Sequence, residues 1–194
     1  NYQLAANLIT YTYNGERQSP EGSESTIFAG KVTYQDGNTT RSLTYGTDYT
    51  VSYQSDSTNA GWKYVTINGI GNYAGSKTFE NAYCIQPYDL SAHKNDIKIP
   101  DQYYTGKAIT PQKIKVTGVT GDLVFGIDYT IENPKNNTET GTQTASVDVK
   151  GTDKNFTGTA DGIKFTIKKL NLTTLGNSDG FITHTDATYN KGAS

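Results

Sequence analysis

The feature that most constrains this chain is that it writes itself twice. "YNGERQSP" (Tyr13 to Pro20) returns as "YTGKAITP" (Tyr104 to Pro111) 91 residues later, and "LTYGTDYTVSY" (Leu43 to Tyr53) returns as "LVFGIDYTIEN" (Leu123 to Asn133) 80 residues later. Gly61 and Gly141 keep the spacing of 80, and Gly75 and Gly158 lie 83 apart. Anchors that recur in the same order mark a repeat, each copy being one structural unit. The drop from 91 to 80 places about 11 extra residues in the first copy, within "EGSESTIFAGKVTYQDGNTTRS". A third start follows at "LNLTTLGNSDGFITHTDATYNKGAS". The expected organisation is therefore a first repeat over 1–87, a second over 88–169 and the opening strands of an incomplete third over 170–194. The junctions "IQPYDL" and "KKLNL" are short, which predicts a semi-rigid string of units. Because the chain opens at "NYQLAANL" without Met or a signal peptide, we expect it to be a piece of a larger protein.

Each copy reads as a series of short strands. In the first, "LITYTY", "STIFAGKVTY", "RSLTY", "YTVSYQ", "WKYVTIN" and "SKTFENAYCI" are separated by stretches rich in Gly, Asn, Asp and Ser. With 20 Gly and 15 Tyr and no Met, the composition suits turns and pleated surfaces, and no stretch carries helical spacing. About seven short strands in about 90 residues, with turns every 8 to 12, predict an all-β chain of antiparallel β-sandwiches with Greek-key connections.

The set "YTGK..TP", "L..G.DYT..Y" and "NAG...VTI.G.GNY.G" resembles the tandem immunoglobulin-like (Big-type) repeats of large secreted or wall-attached proteins of Gram-positive bacteria. The resemblance covers both full copies and the third fragment. It departs from the pattern where "GNYAG" becomes "KNFTG" in the second copy and where the third has "YNKG". The resemblance implies immunoglobulin-like folding and a non-catalytic, extracellular role as a stalk or adhesive module. Its partners would be neighbouring domains of the same polypeptide, with a glycan or a host or cell-surface protein as a further candidate, and no cofactor. A lone cysteine, Cys84, fits a bacterial extracellular origin as well as a cytosolic one.

Strand alternation selects candidate binding residues. Val65 and Ile67 must face the core, since the second copy has Ala145 and Val147 there, so period two turns Trp62, Tyr64, Thr66 and Asn68 outward. In the returning strand Tyr83 and Ile85 match Phe165 and Ile167 and point inward, leaving Glu80, Ala82 and Cys84 outside. Counting back evenly from the "GIGN" corner sets Trp62 beside Ala82 and Tyr64 beside Glu80. An exposed aromatic pair next to a carboxylate can stack on the C–H face of a sugar while bonding its hydroxyls, and it equally suits domain packing or a protein hot spot. Trp62, Tyr64 and Glu80 are thus the ligand-binding candidates, and the alternative to a spacer is a carbohydrate-binding module of a secreted glycoside hydrolase. Thr142 and Thr144 stand at the aromatic positions in the second copy, so the fold itself does not need the rings.

Other chemistries find less footing. A net charge of −2 disfavours nucleic acid, and no apolar run reaches the roughly 20 residues a membrane helix needs. His93 and His184 have no accompanying nucleophile motif, and one Cys with two distant His gives no zinc spacing. Gly46 and Gly126 precede Asp48 and Asp128 in "G-x-D-Y" corners, where Gly takes positive φ and Asp bonds the amides ahead. A calcium site there would be short of oxygens. The family resemblance raises an internal Lys–Asn isopeptide bond, from Lys31 or Lys107 to Asn72 or Asn155. Lys107 corresponds to Glu16, so such a bond would not be general to the repeat.

Overall fold

A computed structural model describes residues 1–5 and 9–170. The expected third-repeat start falls almost wholly outside them. Among the described residues the chain is all-β apart from a four-residue helix, α1 (Glu24–Ile27), and one 3-10 turn at Lys94–Asp96. The first unit holds β1 (Tyr2–Leu4), β2 (Ile9–Thr12), β3 (Val32–Asp36), β4 (Thr39–Ser42), β5 (Tyr49–Tyr53), β6 (Gly61–Gly69) and β7 (Ser76–Gln86). The second holds β8 (Tyr88–Asp89), β9 (Ile97–Lys98), β10 (Gln102–Tyr103), β11 (Lys113–Val116), β12 (Asp122–Val124), β13 (Tyr129–Lys135), β14 (Gly141–Gly151), β15 (Phe156–Thr157) and β16 (Thr159–Lys168).

The two units share one plan. A three-stranded sheet runs β1-β3-β4 in the first and β9-β11-β12 in the second, and a four-stranded sheet runs β2-β7-β6-β5 and β10-β16-β14-β13. In both, the strand that leads into the Tyr-x-Gly motif pairs in parallel with the last strand, while the other neighbours in the sheet are antiparallel. Each unit has one apolar cluster. Tyr2 and Val32 from the smaller sheet meet Tyr49, Val65, Ile67, Tyr83 and Ile85 from the larger one. In the second unit Ile97, Ile114 and Val116 meet Tyr129, Ala145, Val147, Phe165 and Ile167. Val65, Ile67, Tyr83 and Ile85 are fully buried, as the alternation requires.

The G-x-D-Y corners repeat bond for bond. Asp48 Oδ2 accepts the Thr44 amide at 2.8 Å, and Asp128 Oδ2 accepts the Val124 amide at 2.8 Å. Gly46 and Gly126 stand at φ +79° and +80°, a region that costs a side-chain-bearing residue about 1–2 kcal/mol. The carboxylates therefore serve the turn, but each closes back on an amide four residues earlier and not, as expected, on one ahead of it.

Two expectations change. "STIFAGKVTY" is read from sequence as one strand, but its first three residues belong to helix α1, which begins at the buried Glu24, and β3 starts only at Val32. This is the segment that carries the extra residues of the first copy, so no counterpart in the second copy could expose the error. β1 also went unread, because three residues are too few to show a period.

Candidate functional site at the joint between the units

The register of β6 against β7 decides where Trp62 stands. From the corner outward, Asn68 pairs with Ser76, Ile67 with Lys77, Thr66 with Thr78 and Val65 with Phe79, as even counting predicts. A bulge then intervenes at Glu80–Ala82, with Asn81 at φ +55°, and the ladder resumes as Lys63 with Tyr83 and Trp62 with Cys84. Trp62 is therefore opposite Cys84, and the predicted pairing with Ala82 is wrong by two residues. A bulge supplies extra residues on one strand and shifts every pair beyond it. The second unit has an irregularity on the other strand, where Gln143 takes φ +55° between the Gly141–Ile167 and Ala145–Phe165 pairs, and a further one on β16 between the Val147–Ile163 and Val149–Ala160 pairs.

Trp62 and Tyr64 are both exposed, at 50% and 36%, as the alternation predicts. Glu80 is exposed too and lies in the bulge facing Tyr64, but it lines a separate groove with Leu4, Ile9, Phe28 and Lys31. Trp62 instead lines an open groove of about 610 Å³ at the joint between the units, with Asn59, Cys84 and Pro87 on one side and Asp153, Lys154 and Asn155 on the other. Glu80 and Trp62 thus line different grooves, Tyr64 stays on the face of Trp62, and Trp62 gains new neighbours 91 to 93 positions away in sequence.

The joint is bonded. Asn155 Oδ1 accepts the Ala60 amide at 2.9 Å, and its Nδ2 donates to Asn59 Oδ1 at 2.9 Å. The Thr120 amide donates to Asn14 O at 2.7 Å, and its hydroxyl to Glu16 Oε1 at 3.0 Å. Tyr13 packs against both apolar clusters and meets Phe156 edge to face at 5.2 Å. A Cβ on Gly15, which stands at φ +80°, would lie 2.5 Å from Thr120 O, so only glycine lets the two backbones approach this closely. With both polar atoms of its amide committed across the joint, Asn155 has its own role apart from the isopeptide chemistry considered above.

The remaining candidates are placed as follows. Burial pushes the half-buried Cys84 thiol up, so it is a weak nucleophile. His93 Nδ1 lies 3.2 Å from Asp96 Oδ2, and its ring tilts over Tyr88 at 4.7 Å. His184 lies outside the described residues. No cluster of three or more metal-ligating side chains occurs among the described residues. Not read from sequence were three individually buried polar residues of the first unit, Glu24, Lys63 and Ser57, the Ser57 and Tyr83 hydroxyls lying 2.9 Å apart. Period two does turn Lys63 inward with Val65, which was the available signal.

Three carboxyls are held below the usual carboxylate range. Asp56 is bonded by the Asn59 side chain, Asp89 by the Ser91 hydroxyl at 2.6 Å and amide at 2.9 Å, and Asp148 by Asn133 at 2.8 Å and the Gly162 amide at 2.7 Å. Each favours the folded state above the unfolded carboxyl pKa of about 3.9, and this contribution is lost as pH falls through the lower folded value. The melting temperature is expected to fall as pH drops below about 4, and less steeply in Asp148→Asn than in the parent. Equal slopes in the two proteins would refute the assignment for Asp148.

Comparison with protein-family models, with curated proteins and with solved structures finds no match to this chain. No helix among the described residues is long and apolar enough to cross a membrane.

Proposed function

We propose that this chain is a non-catalytic spacer of an extracellular bacterial surface protein, built from tandem immunoglobulin-like β-sandwiches and presenting neighbouring domains, with adhesion as an added role. The observation that carries this reading is the joint. Two units of one strand order are fastened by side-chain and backbone bonds at Asn14–Thr120 and Asn155–Asn59/Ala60. A module that transmits position along a chain needs such fastening, whereas units on a free linker would not transmit it. In each unit a three-stranded and a four-stranded sheet feed one apolar cluster, which supports the sandwich reading. The test is residual dipolar coupling of the full chain. A single alignment tensor should describe both units, and two independent tensors would sink the proposal.

A second reading is favoured by Trp62. Its half-exposed indole shares a groove with a carboxylate, an ammonium and two amides, from Asp153, Lys154, Asn59 and Asn155. Opposite charges side by side suit a neutral polar ligand such as a polysaccharide chain, with the ring against the sugar face. In a screen against bacterial and plant polysaccharides, this reading expects binding that Trp62→Ala weakens by about tenfold or more, the loss of one well-packed aromatic contact. Binding unchanged in Trp62→Ala would eliminate the groove as its site.

A further inference from the structure

The two units differ at one sheet edge. In the second, β8 lies parallel to β15, with the Tyr88 amide donating to Asn155 O at 2.9 Å and the Leu90 amide to Thr157 O at 2.9 Å. Tyr88 and Leu90 are anchored in the core at 7% and 0% exposure. Asp89 and Ser91 close over Gly158, where a Cβ would meet Asp89 Oδ1 at 2.3 Å and Ser91 Oγ at 3.0 Å. The spacing of 83 that relates Gly75 to Gly158 makes Asn72 the counterpart of Asn155 and Ala74 that of Thr157. Here a Cβ on Gly75 would meet nothing within 4 Å. Ala74 O accepts the Tyr2 hydroxyl at 2.9 Å where its counterpart accepts a backbone amide. The edge borders a groove of about 290 Å³ whose other wall includes Tyr34, Asp36 and Arg41.

The position equivalent to β8 can be counted in the first unit. The Gln35 amide donates to Asn1 O at 2.8 Å, as the Thr117 amide donates to Asp96 O at 2.9 Å, so Asn1 occupies the position of Asp96. The stretch that reaches β15 in the second unit is the one leading into that position, Pro87 to Asn95, "PYDLSAHKN".

We propose that the Asn72–Gly75 edge is a docking site for an extended segment of Tyr-Asp-Leu-Ser chemistry, laid parallel to it as β8 is laid on β15. Its natural source is the connecting segment of a preceding unit of this same kind. The inference rests on the equivalence of the two units, and it goes beyond the spacer reading by naming the surface through which the array continues. Strand addition of this type draws on main-chain bonds for affinity and on alternate side chains for selectivity. A carbonyl oxygen has two lone pairs, so Ala74 O can keep the Tyr2 hydroxyl while accepting an amide.

The experiment places the nine residues "PYDLSAHKN" directly ahead of Asn1 in the full chain and follows amide hydrogen exchange. The added Tyr and Leu amides are expected to exchange on the order of 100-fold more slowly than in the free nonapeptide. Replacing the added Leu by Asp should abolish that protection while β6 and β7 keep theirs. Exchange at the free-peptide rate in a chain with intact β6 and β7 protection overturns the proposal. So does protection that rises with protein concentration, since the segment would then be seated on a second copy. The alignment-tensor measurement on the unextended chain tests the spacer reading separately, so the two can fail independently.

Discussion

Replacing Tyr129 by alanine is expected to destabilise the second unit by about 3–5 kcal/mol, the range for deleting a fully buried aromatic ring. Tyr129 is fully buried, packs edge to face on Phe125 at 5.9 Å and donates its hydroxyl to Pro111 O at 2.7 Å. Tyr129→Phe separates the two contributions, because it keeps the ring and leaves only the Pro111 carbonyl without its donor, a loss of about 1–3 kcal/mol. Its counterpart Tyr49 makes a longer bond, 3.5 Å to Phe28 O, so Tyr49→Phe should cost less. Denaturant unfolding monitored residue by residue checks these, since the loss must appear first in the second unit's amides for the Tyr129 variants and in the first unit's for Tyr49→Phe. A Tyr129→Phe variant as unstable as Tyr129→Ala would show that the hydroxyl, and not ring packing, dominates.

Gly15→Ala is the second large effect, and it falls on the joint. The alanine must hold φ near +80° at about 1–2 kcal/mol. It would also push its Cβ against the Thr120 carbonyl, which is backbone and cannot swing aside. The joint is expected to open there, breaking the bond from the Thr120 amide to Asn14 O. The Thr120 amide should then exchange as a solvent-exposed one while the β6 and β14 amides stay protected. Asn155→Ala, which removes the bonds to Asn59 and Ala60, is expected to act in the same direction. Each neutral hydrogen bond lost is worth about 0.5–1.5 kcal/mol. Retained protection at Thr120 in Gly15→Ala would mean that the joint is not closed in solution as the geometry requires.

Much of this architecture was legible in the residues. The corners at Gly46 and Gly126 follow from local chemistry, since a positive φ needs glycine and an Asp two residues on can bond a nearby amide. The inward set Val65, Ile67, Tyr83 and Ile85 follows from period two checked against a second copy. The candidate site was legible only in part. Exposure of Trp62 and Tyr64 is a property of strand parity and could be read. The neighbours of Trp62 could not, because a two-residue bulge at Glu80–Ala82 leaves parity unchanged while sliding the partner strand. Even counting therefore returned the right faces and the wrong contacts.

The sequence alone determined the repeat, the all-β class, the turn positions and the faces of the long strands, because each rests on interactions within a few residues or on comparison of the two copies. Tertiary structure decided the rest. Helix α1 lies in the segment that only the first copy has, so its local pattern had no second witness. The joint brings Asn155 to Asn59 and Ala60, and Thr120 to Asn14, across about a hundred residues, where no periodicity links the partners. Such contacts depend on how two completed units meet, and that meeting places Trp62 in a groove shared by both.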